Sequence, residues 1–167
     1  MCFYNMSGSL DEEDNTSISI IVNGKKHDLP RTCVKYIKVV ETILQNDPTA
    51  TTIELTLPTT IRNTERVMNQ IMEYVVYHNI YGESKPIAKP LVSEKLSESG
   101  VSPWDEAFIN KTDEELTDLA SSTNYLNVPD VLELCCAKIG SIMKAIMNQY
   151  PEKEDQQREV RKRWRGE

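Results

Sequence analysis

Three short stretches near the beginning of the chain have the residue patterns of β-strands. Ser17–Val22 is a β-branched run, and Lys25–Leu29 follows it after Asn23-Gly24, a dipeptide typical of two-residue hairpin turns. Apolar and polar residues then alternate from Ile53 to Leu57, as in a half-buried strand. Every predicted strand lies in the first 57 residues, and the remainder is mostly helical in pattern. This order indicates an α+β fold rather than a doubly wound sheet.

Apolar residues recur at helical spacing through much of the remaining chain. Thr112 and Glu115 form a capping-box pattern that predicts a helix start, and Pro129 stands where a further helix would begin. Residues 79–100 are rich in proline and serine and predict a loop, while Asn124-Tyr125-Leu126 predicts a turn. The predicted helices are Thr32–Gln45 with Thr32 as N-cap, Asn63–His78, Pro103–Ile109, Thr112–Ser122, Pro129–Tyr150 and Glu152–Arg165.

The helix predicted from Pro129 is apolar around most of its circumference. One stripe contains Leu132, Cys136, Ile139 and Met143, and an adjacent stripe contains Val131, Cys135, Ile142 and Ile146. Its polar positions are Glu133, Lys138, Ser141 and Lys144, which we expect to be exposed to solvent. A surface helix usually has one apolar face about 100° wide, so a single domain core would leave part of this surface uncovered. Either a partner covers the first stripe, or the last helix folds back over it.

The composition is that of a globular protein, and the length fits one domain, or one domain with an appended helical piece. The chain has 167 residues, 39% of them hydrophobic. Residues 1–16 are polar and acidic and predict a disordered tail, which leaves a core over 17–110 and a helical region over 111–167. No apolar run approaches the ~18 residues that span a bilayer, and the amino terminus has no signal-peptide pattern. We therefore expect no membrane contact and a cytoplasmic or nuclear location.

Charge and metal-binding residue types argue against two further classes of function. A formal net charge of −7 opposes nucleic-acid binding as the main activity, because phosphate backbones would be repelled. Arg158–Glu167 carries five basic and two acidic side chains, which fits either a solvated helix end or a partner contact. The four cysteines and two histidines lack the spacing of a zinc site, so neither a metal nor another cofactor is expected.

Several motifs in the second half of the chain resemble those of one adaptor family. Pro103-Trp104-Asp105-x-x-Phe108 is followed by Leu116-x-x-Leu119, by Asn124-Tyr125-Leu126 and by Leu132-x-Leu134-x-Cys136. This series resembles the signature of the S-phase kinase-associated protein 1 family, whose members join F-box proteins to the cullin in SCF-type ubiquitin ligases. The resemblance covers residues 17–164, is strong over residues 103–143 and is weak before them. The chain is similar to a divergent member.

The resemblance implies a BTB/POZ-like core over 17–110 and a C-terminal helical region over 111–167 that docks an F-box. On that basis Asn124 and Tyr125 would face the cullin. The implied F-box contacts are Leu132, Cys136, Ile139, Met143 and Trp164. The implied function is a non-catalytic adaptor, and self-association through an uncovered stripe would give a homodimer.

The chain departs from the family pattern after the long helix. About a dozen residues that help to cradle the F-box in the family are missing between Lys144 and Pro151. The family's acidic loop is replaced by Lys85-Pro86 and Lys89-Pro90. These departures imply either weaker F-box binding or a restricted set of partners.

Three alternatives to this adaptor function stay open from the sequence. The first is an adaptor of the elongin C type, although elongin C lacks helices like those beyond residue 140. The second is a structural or decoy assembly subunit without ligase activity. The third is an enzyme in which Cys33 is paired with His27 or His78, but no glycine-rich elbow or P-loop accompanies these residues. We therefore expect no catalysis.

Overall fold

A three-stranded sheet forms one side of the folded core. The computed structural model describes residues 17–166, so the predicted disordered tail at 1–16 lies outside the described residues. The strands are β1 (Ser17–Val22), β2 (Lys25–Pro30) and β3 (Thr52–Leu55). β1 lies in the centre, antiparallel to β2 and parallel to β3. The predicted strands are confirmed, although β3 ends two residues earlier than expected.

The hairpin between β1 and β2 has the predicted two-residue turn. Asn23 and Gly24 have φ angles of 49° and 82°, and the flanking residues Val22 and Lys25 pair directly. Positive φ at both turn positions matches the right-handed twist of the strands. The Asn23 side chain also accepts a hydrogen bond from the Leu57 backbone N–H at 3.0 Å. The turn therefore holds the chain beyond β3 as well as the hairpin.

Six α-helices follow or interleave with the strands of the described chain. They are α1 (Lys38–Asn46), α2 (Thr64–Tyr81), α3 (Pro103–Phe108), α4 (Asp113–Leu126), α5 (Pro129–Gln149) and α6 (Lys153–Arg165). Short 3₁₀ helices cover Arg31–Tyr36 and Leu96–Ser99. A small sheet with helices after it confirms the α+β class. No helix within residues 17–166 is both long and apolar enough to cross a membrane.

One hydrophobic core joins the sheet to the first half of α5. Ile18, Ile20 and Val22 alternate along β1 and are almost fully buried, as period-two packing requires. The same cluster contains Leu116 and Leu119 of α4, and Val131, Leu134 and Cys135 of α5. The predicted boundary between a core domain and a C-terminal helical region at residue 110 stays a prediction. Residues on both sides of this boundary contribute to the hydrophobic core.

The helix predicted over Thr32–Gln45 is wrong in two respects. Ile37 interrupts it with extended backbone, at φ −112° and ψ 93°, between the 3₁₀ helix and α1. The extended residue buries its side chain and lets the Lys38 N–H donate to the Asn127 carbonyl at 2.9 Å. Thr32 does not cap a helix; its hydroxyl oxygen accepts from the Asn79 side chain at 3.0 Å. Tertiary hydrogen bonds thus override the local helical spacing.

Helix α4 begins as predicted but ends later. Thr112 and Glu115 form both hydrogen bonds of the capping box. The segment Asn124-Tyr125-Leu126 is the last turn of this helix rather than a separate turn, and Asn127 ends it at φ 52°. Leu126 is fully buried, and this burial favours the additional helical turn. The prediction of a turn at residues 124–126 is therefore wrong.

The Asn23 side chain gives a direct test of the turn's role. We expect Asn23→Ala to lower the free energy of unfolding by about 2 kcal/mol, since the Leu57 N–H loses its acceptor and alanine tolerates positive φ poorly. Asn23→Gly should cost about half as much, because glycine adopts positive φ freely. Urea denaturation followed by circular dichroism measures both, with Asn23→Asp as the variant that keeps an acceptor. Equal losses for alanine and glycine would contradict a conformational contribution.

Candidate protein-interaction site

Helix α5 has one face in the core and another that is only partly covered. Its buried residues are Val131, Leu134, Cys135, Ala137, Ser141 and Ile146. Leu132, Ile139 and Met143 are half-buried, Cys136 is exposed, and Met147 is 59% exposed. Burying a large apolar side chain stabilises a protein by about 1.5–3 kcal/mol relative to leaving it in water. Much of that gain remains unrealised on this face, which is the property of a partner site.

Residues 87–94, which we call the strap, lie along the middle of α5. The Lys144 ammonium donates to the Leu91 carbonyl at 2.9 Å, and the Ser141 hydroxyl donates to the Glu94 carbonyl. Lys89 of the strap forms an ion pair with Glu133. The prediction that Ser141 is exposed to solvent is therefore wrong. The strap covers Ser141, and the serine hydroxyl donates to a backbone carbonyl of the strap.

The strap also gives the glycine in the middle of α5 a packing role. A Cβ placed on Gly140 would lie 3.2 Å from Leu91 Cδ1, closer than ordinary van der Waals contact. Glycine in a helix interior costs roughly 1 kcal/mol relative to alanine. The close approach of Leu91 explains why a small residue fits at this position.

A first groove of about 580 Å³ lies between the strap and the amino-terminal half of α5. Ile87, Pro90 and Leu91 line one side of it, and Leu132 and Cys136 line the other. Two of the predicted F-box contacts therefore share one cavity. Its lining is largely apolar, with Lys89, Asp130 and Glu133 as the charged residues. The described geometry suits an apolar segment laid against α5.

A second groove of about 450 Å³ lies between the end of α5 and α6. Met143 and Trp164, two further predicted F-box contacts, line it together. Residues 150–152 alone join the two helices, so α6 turns back beside α5. Arg163 of α6 holds Asp113 of α4 through two contacts, Nε to Oδ2 at 2.7 Å and Nη2 to Oδ1 at 3.0 Å. This two-point contact fixes α6 beside the domain.

The predicted F-box stripe is divided rather than continuous. Ile139 is half-buried and packs against the core, and it lines neither groove. Leu132 and Cys136 belong to the first groove, whereas Met143 and Trp164 belong to the second. All five residues remain predicted F-box contacts. Periodicity identified the open side of α5, but the strap and the fold-back of α6, which divide it, come from tertiary packing.

The two residues predicted to face a cullin lie on the last turn of α4. Asn124 is exposed and Tyr125 is 52% exposed, whereas their neighbours Thr123 and Leu126 are buried. The Thr123 hydroxyl donates to the Leu119 carbonyl at 2.8 Å, which anchors this turn from inside. Tyr125 thus presents an aromatic ring to solvent on a rigid support. Asn124 and Tyr125 remain predicted cullin contacts.

The Pro-Trp-Asp motif supports the core beside α2. Trp104 stacks on Tyr77 with ring centroids 3.7 Å apart and planes 5° apart. Asp105 accepts from the Ser102 hydroxyl at 2.7 Å and lies 2.8 Å from His78 Nε2, while His78 Nδ1 lies 2.8 Å from the Gly82 carbonyl. Both ring nitrogens of His78 therefore face oxygen atoms of the protein. Sequence reasoning missed this buried pair, since nothing in the local pattern joins residues 78 and 105.

The histidine contacts and the thiol environments bear on the enzymatic alternative. His78 is paired with Asp105 and Gly82, not with Cys33. Burial raises the pKa of the Cys33 thiol, and it raises the pKa of the Cys135 thiol to about 12. Buried thiols of raised pKa are poor nucleophiles. Among residues 17–166, no three His, Cys, Asp or Glu side chains are grouped closely enough to hold a metal ion.

Comparisons with known proteins give a structural likeness but no match by sequence. No protein-family model and no curated protein matches the chain. Among solved structures it is similar to the BTB (Tramtrack and Bric a brac) domain of human gigaxonin, with 16% sequence identity and a TM-score of 0.44. The likeness covers 74% of this chain and 77% of that one. The α+β class is shown by the sheet and helices themselves, and the finer assignment to a ubiquitin-ligase adaptor family is a proposal.

The adjacent cysteines of α5 provide a probe of the first groove. We expect iodoacetamide at pH 8 to modify Cys136 in the folded protein and to spare Cys135, because only Cys136 is exposed and the Cys135 thiol stays protonated. Peptide mapping by mass spectrometry measures the two sites separately. Denaturation in urea should make them equally reactive, which serves as the control. Fast labelling of Cys135 without urea would show that this part of α5 opens in solution.

Proposed function

We propose that this protein is a non-catalytic adaptor that joins an F-box receptor to a cullin in an SCF-type ubiquitin ligase. The observation that carries the proposal is the division of α5 into a face that completes the core and a face that borders two apolar grooves. The exposed tyrosine of α4 supplies a second surface on the preceding helix. The motif resemblance over residues 103–143 supports the identity of the two partners.

The two grooves have the dimensions of a helix-binding surface. Leu132 and Met143 are eleven positions apart along α5, or about 16 Å at the helical rise. A partner helix packs with its axis about 8–10 Å from that of α5 and interdigitates its side chains with those of the open face. An F-box helix that spans this distance would contact both grooves. It would then shield Cys136 from solvent.

Tyr125 has the properties of an anchor for a second partner. Tyrosine combines a large apolar ring with a hydroxyl that can bond at a wet rim, and it is enriched among residues that dominate binding energy. Its position on the last turn of α4, held by buried Thr123 and Leu126, limits the entropy lost on binding. By holding a receptor and a cullin on one rigid body, the adaptor would promote ubiquitin transfer by proximity.

One structural observation favours a second candidate, a decoy or assembly subunit. The three-residue connection from α5 to α6 leaves no room for the segment that helps to cradle the F-box in the family. Such a subunit would bind a receptor or a cullin but not bridge them. The elongin C type of adaptor is less well supported, because α5 and α6 extend well beyond residue 140.

A bridging assay separates these candidates. We expect the purified protein to bring an F-box domain down with an immobilised cullin amino-terminal domain, whereas no F-box is retained without it. Binding to only one partner would favour the decoy subunit over the adaptor. Binding to neither partner would end the ubiquitin-ligase proposal.

Two surface substitutions should disable the partners separately. Cys136→Arg should weaken F-box binding by at least about tenfold while leaving the cullin bound, because it places a long charged side chain in a largely apolar contact. Tyr125→Ala should do the reverse, and Tyr81→Ala, which removes another exposed tyrosine, is its matched control. Cys136 is preferred to Ile139, since Ile139 packs against the core and its replacement by aspartate would disturb folding. Calorimetric titration measures each affinity, and unchanged binding in either variant would refute that residue's assignment.

The uncovered face of α5 also bears on self-association. If two copies cover each other's grooves, the mass in solution should be that of a dimer and fall to that of a monomer when an F-box peptide is added. Sedimentation equilibrium over a range of concentrations measures this. A monomer at all concentrations without peptide would refute the homodimer.

A further inference from the structure

We propose that the second groove binds an acidic, amphipathic helical segment of a partner protein. This inference rests on the proposed receptor-binding role of α5 and adds the charge of the segment that the groove accepts. It follows from the residues that line the groove and from the ion pairs that their neighbours form.

The floor of the groove is apolar and partly uncovered. Met143, Ile146 and Met147 come from α5, and Val160 and Trp164 come from α6. Met147 is the most open of the α5 residues among them, at 59% exposure. Methionine side chains adapt to irregular apolar surfaces, and a tryptophan beside them adds a large flat contact. This floor suits the apolar stripe of a helix.

All the charged residues that line the second groove are basic. Its charged lining residues are Lys153, Arg161 and Arg165, and no acidic residue lines it. None of these three cations forms an ion pair with a carboxylate within residues 17–166. Two other cations of α6 do find such partners: Arg158 pairs with Asp155, and Arg163 pairs with Asp113. Of the four cations of α6 without such a partner among the described residues, three therefore line the apolar groove, and Lys162 lies outside its lining.

Stabilisation of the helix end does not account for this arrangement. Cations in the last turn of a helix interact favourably with its negative pole, and Arg165 lies there. Lys153 is in the first turn, where the pole is positive and a cation is disfavoured, and Arg161 lies before the last turn. In a chain with a formal net charge of −7, a groove bordered only by cations indicates complementarity to a negatively charged partner.

The shape of the surface favours a protein segment over a membrane. A helix that lies on a bilayer needs an outward apolar face, flanked by basic residues. In α6 the large apolar residues are Val160 and Trp164, and both line the groove beside α5. An inserted helix can reach such a concave surface, whereas a lipid bilayer meets the outward face of α6.

Two matched peptides test the charge preference. The first is a synthetic amphipathic helix with a leucine stripe flanked by glutamates, and its twin carries glutamines at those positions. We expect the glutamate peptide to bind about tenfold more tightly, and the difference to shrink in 0.5 M salt, where surface charges are screened over only about 4 Å. Methyl NMR of the methionines should show shifts at Met143 and Met147 and not at Met68, which is buried in the core.

A pair of double variants completes the test. Arg161→Glu with Arg165→Glu should abolish the preference for glutamate, whereas Arg158→Glu with Lys162→Glu makes the same charge change outside the groove lining and should preserve it. Equal affinity of the two peptides, equal effects of the two double variants, or no binding of either peptide would overturn the inference. The protein can also be sedimented with phosphatidylserine vesicles. If it sediments with them, if only the groove double variant abolishes this, and if neither peptide binds, the groove binds a lipid surface and the inference is overturned.

The outcome is distinguishable from failure of the adaptor function. If an F-box domain binds and is sensitive to Cys136→Arg while the glutamate peptide does not bind, only the charge inference fails. If the glutamate peptide binds as expected while neither F-box nor cullin is retained, the adaptor function fails and the groove chemistry stands.

Discussion

The structure depends on helix α5 packing only one of its sides into the hydrophobic core. Val131, Leu134 and Cys135 complete a hydrophobic cluster that begins in the sheet, so α5 cannot leave without exposing that core. The same helix carries Leu132, Cys136 and Met143 on its open side. Because the positions of residues along a helix are fixed relative to one another, anchoring the buried side also fixes the positions of these three residues. A helix anchored in this way presents a preorganised surface, and preorganisation reduces the entropy lost when a partner binds.

Two neighbouring segments convert this open side into separate grooves. The strap is tied to α5 by Lys144 and Ser141, which donate hydrogen bonds to its backbone carbonyls. On the other side, the Arg163–Asp113 contact joins α6 to α4, and the short connection keeps α6 beside α5. The first groove has mixed charge on its rim and the second has only cations, so the two ends of α5 differ in electrostatic character.

Local patterns predicted most elements, and tertiary contacts account for the errors. The hairpin at Asn23-Gly24, the capping box at Thr112 and the limits of α5 follow from turn, cap and proline chemistry, which acts within a few residues. The break at Ile37 depends on Asn127, which is distant in sequence, and the burial of Ser141 depends on Glu94. For the candidate site, periodicity identified the residues on the open side of α5. It could not show that Ile139 packs against the core or that a loop crosses the helix, because both require knowledge of which segments meet.

The position of β2 at the edge of the sheet limits how copies of this protein can aggregate. An edge strand offers unpaired backbone groups to any neighbouring chain, and proteins commonly blunt such edges with charge and proline. β2 carries Lys25, Lys26 and Asp28 and ends at Pro30, which has no N–H to donate. The opposite edge, β3, is only four residues long. Strand addition that would lead toward amyloid-like stacking is thus discouraged at both edges of the sheet.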